Sequence, residues 1–96
     1  MLVVVAYDIA VSDADGRRRL HRVAGICGPW GTGVQHSVYE CEVDAGEYRR
    51  LEEELAGAIC PTRDSVRIYR LGNHFQSRVE TLGRAGKSWE RERYVL

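Results

Sequence analysis

The stretch LVVVAYDI, residues 2–9, constrains the fold more than any other part of the chain. In an extended conformation Leu2, Val4 and Ala6 point one way and Val3, Val5 and Tyr7 the other, so both faces are apolar. A strand of that kind lies centrally in a sheet with both faces covered. Its run of apolar residues from Leu2 is broken by a carboxylate, Asp8, and three arginines, Arg17 to Arg19, follow in a helical pattern. Apolar strands that lead only into a turn more often stop on Gly, Pro or Asn. An acid at a strand tip ahead of an arginine cluster points towards phosphate chemistry.

The next segments follow from spacing. Ser12 and Asp15 have the S-x-x-D spacing of an N-terminal cap, and Leu20, Val23, Ala24 and Cys27 form one apolar helical stripe that Gly28-Pro29 ends. TGVQHSVYECEV, residues 32–43, reads as a second strand rich in β-branched and aromatic residues. Asp44 and Glu47 cap a second helix with Tyr48, Leu51, Leu55 and Ile59 on its face, closed by Cys60-Pro61. DSVRIYRL reads as a third strand and RVETLG as a short fourth. Segment by segment these read β-α-β-α-β-β, yet the order expected for the fold is β-α-β-β-α-β, with two strands between the helices. Right-handed crossovers make this an α+β, ferredoxin-like fold, a four-stranded antiparallel sheet with both helices on one face. Helices then cover one face only, although the first and third strands are apolar on both. A second copy of the chain is the simplest cover, so a two-fold homodimer is expected.

Composition narrows the class. At 96 residues the chain makes one domain. Its net charge is zero, but residues 44–56 hold five acids against two arginines and residues 63–96 eight basic residues against four acids. A polyanion should therefore meet the C-terminal third or the first helix. Lys87 is the only lysine among 14 basic residues. The planar guanidinium suits phosphate, yet a genome rich in arginine codons gives the same bias, which alone decides nothing. Three cysteines without a C-x-x-C pair argue against zinc and disulfides and fit a reducing cytoplasm. No stretch reaches the ~20 apolar residues of a membrane span.

AYDI at the end of the first strand, WGTGVQHSVYE from Trp30 to Glu40, DSVRIY from Asp64 to Tyr69 and VETLG from Val79 to Gly83 occur in that order. Together with the length, they make the chain resemble the CRISPR-associated protein two family, the smaller partner of the spacer-acquisition pair. The resemblance implies a ferredoxin-like domain over residues 1–86. It also implies a tail, residues 87–96, whose Tyr94-Val95-Leu96 adds a strand to the partner protomer's sheet in a homodimer. It implies metal-dependent endonuclease activity on RNA or double-stranded DNA, and a bridging role between integrase subunits with DNA lying across them. The resemblance makes Asp8 the catalytic residue and the ligand for Mg2+ or another divalent cation. Tyr7, Arg17, Arg19 and Tyr39 become nucleic-acid contacts. One carboxylate is a poor Mg2+ site, and a dyad bringing two copies of Asp8 into one cleft would remedy that.

Blander readings stand beside these. Asp8 could cap a backbone N–H, Tyr7 could pack in the sheet, and Arg17 and Arg19 could belong to a solvated helix face. His36 fits a strand position as well as a general base. Gly33 stands where the family often has Arg or Lys, which removes one phosphate contact. A purely structural DNA-binding adaptor is the alternative function. An RNA-recognition module shares the element order, but DSVRIYRL lacks its glycine-aromatic pattern.

Overall fold

The computed structural model describes residues 1–83. The elements are β1 (Leu2–Asp8), α1 (Ala14–Cys27), a 3-10 turn (Gly28–Trp30), β2 (Gly31–Gln35), β3 (Val38–Glu42), α2 (Ala45–Ala58), β4 (Ser65–Gly72) and a second 3-10 turn (Gln76–Arg78). The four strands form one sheet in the order β2-β3-β1-β4, with every neighbouring pair antiparallel. This is the ferredoxin-like arrangement. β1 is interior, paired with β3 on one side and β4 on the other, as its two apolar faces require.

One face of the sheet carries the core. Val3, Val5 and Tyr7 from β1 and Tyr39 and Cys41 from β3 are buried against Val23 and Cys27 of α1 and Leu51 and Leu55 of α2. Burying a side chain such as Leu51 contributes about 1.5–3 kcal/mol. α2 begins on the expected capping box, in which Asp44 accepts from the Glu47 N–H and Glu47 accepts from the Asp44 N–H.

Three local expectations are corrected. Residues 32–43 are a hairpin of β2 and β3, turned at Ser37, which takes φ 63° without glycine. The Ser37 carbonyl accepts the Tyr7 N–H at 3.0 Å, so pairing with β1 holds the turn in place. RVETLG forms no strand: Gln76–Arg78 is a 3-10 turn and residues 79–83 are irregular. The short Val79-Glu80-Thr81 run lacks the length and the paired neighbour that make a strand. The cap of α1 is Asp13, whose carboxylate accepts from the Gly16 N–H at 2.8 Å, one residue later than the Ser12 spacing suggested. The expected partner-docking tail, residues 87–96, lies outside the described residues.

The three cysteines separate by burial. Cys27 and Cys41 are buried, and contact with Cys41 together with burial pushes the Cys27 thiol well above its usual range. Cys60 is partly exposed, and hydrogen bonding to Thr62 pulls its thiol down. A thiol reagent at neutral pH should therefore modify one cysteine quickly in the native protein and the other two only on unfolding. Mapping the labelled peptide should return Cys60; rapid labelling of Cys27 or Cys41 would contradict the packing.

Candidate functional site

Asp8 is the last residue of β1 and is exposed. Alternation puts it on the same side of the sheet as Val4 and Ala6, the side away from both helices. On that open face Asp8 stands opposite Ser65, Ala6 opposite Arg67, and Val4 opposite Tyr69. Arg67 is therefore the diagonal neighbour of Asp8 across β1 and β4. It is exposed, with its guanidinium carbon 5.7 Å from the centroid of the Tyr69 ring. Nothing local in the sequence singles out Arg67; the alternation of DSVRIYRL places it on this face only given the pairing with β1.

The other sequence candidates lie elsewhere. Tyr7 and Tyr39 are each 7% exposed, and their rings stack with centroids 6.3 Å apart and planes at 22°. Both lie on the helix-covered face, because the alternation that exposes Asp8 turns Tyr7 inward. Arg17 is exposed on α1, in the layer opposite to the face that carries Asp8. Arg18 pairs with Asp15 on the same helix. Arg19 turns inward to a partner far along the chain.

That partner is Asp64, the one charged residue buried among the described residues. Its carboxylate accepts Arg19 Nε at 2.7 Å and Nη2 at 3.2 Å, the Cys60 N–H at 2.8 Å and the Ala10 N–H at 3.0 Å. Four donors on one carboxylate satisfy a charge that burial would otherwise penalise heavily. The Arg19 hydrogen bonds, helped by the two backbone donors, hold the Asp64 carboxyl far below the usual carboxylate range. Arg63 adds a second tie, donating to Asp13 at 3.3 Å and to Ser12 at 3.2 Å. The loop after β1 and the loop before β4 are thus cross-linked on both sides.

A divalent cation needs more than one protein carboxylate or a substrate phosphate. Among the described residues, no group of three or more His, Cys, Asp or Glu side chains could hold a metal ion. Among the described residues the strand register sets Ser65 and Arg67, and no second acid, beside Asp8, so one copy does not fit a complete site. A second Asp8 from another copy would supply the missing carboxylate. No helix among the described residues is long and apolar enough to cross a membrane.

The sheet order, the one-sided helices and an acid at the tip of the central strand define a small ferredoxin-like α+β protein with an open, carboxylate-bearing sheet face. Residues 1–79 match the model of the family described as CRISPR associated protein Cas2, and the chain belongs to that family. It is 45% identical over 83 residues to the CRISPR-associated endonuclease Cas2 of Halalkalibacterium halodurans, covering 86% of each chain. Identity to the CRISPR-associated endoribonuclease Cas2 of Chlorobaculum tepidum is likewise 45% over 83 residues, again 86% of each. The crystal structure of Streptococcus pyogenes Cas2 at pH 6.5 superposes with a TM-score of 0.76 at 43% identity, over 86% of this chain and 100% of that one.

Proposed function

We propose that this chain is a CRISPR adaptation protein of antiviral defence. Its homodimer would hydrolyse phosphodiester bonds in RNA or double-stranded DNA and bridge integrase subunits in the spacer-integration complex. The observation that carries the hydrolytic reading is the exposed Asp8 carboxylate at the end of the central strand, on the sheet face that no helix covers. Relatives of this length named endonuclease and endoribonuclease support the reaction class. The same face holds half-buried Val4, Ala6 and Val38 and the 48%-exposed Tyr69, an apolar patch suited to a second copy. The dyad of such a dimer would bring the two Asp8 carboxylates to one Mg2+ or similar ion. When bound, that ion supplies Lewis-acid polarisation of a phosphoryl oxygen and activation of water. For its part, the chain offers Asp8 as an anionic oxygen donor and Arg67 as a fixed positive charge for a phosphate oxygen.

The experiment pairs wild type with Asp8→Asn, incubated with labelled duplex DNA and single-stranded RNA, with and without Mg2+. Cleavage should require Mg2+ and fall by at least ~100-fold in Asp8→Asn, the scale expected when a catalytic group is lost. Sedimentation should show the same dimer for both. Equal cutting by Asp8→Asn would move the chemistry to another site, and a stable monomer at micromolar concentration would remove the shared cleft.

A structural adaptor is the second reading, favoured by the single carboxylate, Asp8, that the described residues of each copy place at the strand tip. On this reading the exposed Arg17 and Arg22 of α1 hold DNA phosphates, binding falls steeply with salt, and spacer acquisition survives Asp8→Asn.

A further inference from the structure

The buried Asp64 has no place in the hydrolytic scheme above, yet its hydrogen bonds reach the segment that follows Asp8. We propose that Asp64 is a positioning residue for the Asp8 site: through Arg19 and its own carboxylate it clamps both backbone polar groups of Ala10, and so fixes the end of β1 from which Asp8 projects. The Ala10 N–H donates to Asp64 Oδ1 at 3.0 Å, and the Ala10 carbonyl accepts from Arg19 Nη2 at 3.4 Å. Ala10 is two residues beyond Asp8. Asp64 is itself anchored one residue before Ser65, the cross-strand partner of Asp8. The regular ladder stops at the Asp8–Ser65 pair; beyond it, the Asp64 side chain supplies the acceptor that a further strand residue would have supplied.

The arrangement is built to close tolerances. Gly16 of α1 lies so near the Ala10 carbonyl that a Cβ there would stand 1.8 Å from its oxygen. The Asp64 side chain is wholly buried and the Arg19 side chain 16% exposed, so water competes poorly for either. A reacting carboxylate must be held to within a fraction of an ångström, and misplacement by about 1 Å can reduce rate by ~100-fold. A strand terminus would otherwise fray, since the last residues of an element have the lowest local stability. The inference therefore rests on Asp8 being the hydrolytic site, and it explains why an acid outside that site is buried beside it.

The test uses the full chain, with Asp64→Asn, Asp64→Ala and Arg19→Lys compared with wild type well below their melting temperatures. Asn keeps an acceptor for the Ala10 N–H but loses the charge; Ala loses both. Amide exchange of Ala10, taken relative to the core amide of Val5, should accelerate by roughly tenfold in Asp64→Asn and further in Asp64→Ala. In the Mg2+-dependent cleavage assay kcat should fall in the same order, by roughly tenfold for Asp64→Asn, with KM nearly unchanged. A purely structural role would lower the melting temperature and speed Ala10 exchange yet leave kcat of the folded protein alone; that result, or an Ala10-to-Val5 ratio unchanged in Asp64→Ala, overturns the proposal. Should both Asp64 variants fail to fold, Arg19→Lys and the wild-type protein decide it. An Ala10 amide exchanging in wild type as fast as the exposed loop at Ser12 would refute the clamp. If Asp8→Asn cuts like wild type, the hydrolytic reading falls by that measurement, and Ala10 exchange in Asp64→Asn still upholds or refutes the clamp.

Discussion

Gly16→Ala should lower the stability of the native fold by about 2 kcal/mol, although alanine is the better helix former. Two effects compete. In a helix interior, Ala is favoured over Gly by up to about 1 kcal/mol. Against that, the new Cβ would meet Ala10 O at 1.8 Å, Ala10 C at 2.9 Å and Val11 Cα at 3.0 Å, all backbone atoms that no rotamer change can move. Forced expansion of a packed site costs about 1–3 kcal/mol, and displacing Ala10 also strains its hydrogen bonds to Asp64 and Arg19, worth about 1 kcal/mol each. The clash wins. Gly25→Ala is the control: it lies in the same helix with nothing within 4 Å of its Cβ and should gain roughly 0.5–1 kcal/mol. Urea midpoints of the two variants should move in opposite directions. A Gly16→Ala protein as stable as Gly25→Ala would show that α1 and the loop after β1 do not approach so closely.

The second large effect is the response to acid. Asp64 has its folded-state pKa depressed by the Arg19 hydrogen bonds and two backbone N–H groups. Between the folded value and the unfolded value of about 4, the unfolded chain binds the extra proton, so stability rises with pH through that window. The contribution is therefore complete above roughly pH 5 and is lost progressively as pH falls below 4 towards the folded value. Asp13, lowered by the Gly16 N–H and then by Arg63, acts in the same direction. Melting temperatures should be flat from neutral pH to about 5 and then drop. In Asp64→Asn the drop should be much shallower, and the neutral-pH stability lower. Removing the acid entirely in Asp64→Ala leaves Arg19 and two backbone donors without their acceptor, a loss of about 3 kcal/mol at pH 7. An Asp64→Asn profile parallel to wild type below pH 4 would place the acid-sensitive group elsewhere.

Much of the architecture is legible in the sequence. β1 was central because both its faces were apolar, and α2 began at Asp44 because Asp and Glu three residues apart satisfy each other's backbone N–H groups. The hairpin was harder. Gln35-His36-Ser37-Val38 holds no Asn-Gly or Gly turn signal, so by pattern residues 32–43 read as continuous. The turn exists because the neighbouring β1 accepts it, Tyr7 N–H reaching Ser37 O. Of the candidate site, Asp8 was legible as the charged end of an apolar strand. Arg19 was legible only as a basic helix residue, since its partner Asp64 is 45 positions away.

From the chain alone came the periodicities: which residues prefer helix or strand, which stripe each helix buries, and that the central strand ends on an acid. These are local properties, fixed by side-chain spacing within a few residues. Folding in three dimensions decided which arginine faces which acid, that Tyr7 and Tyr39 stack inside while Arg67 flanks Asp8 outside, and that Gly16 must lack a side chain. Those outcomes depend on distant segments meeting, and no local pattern records the partner a charge will find.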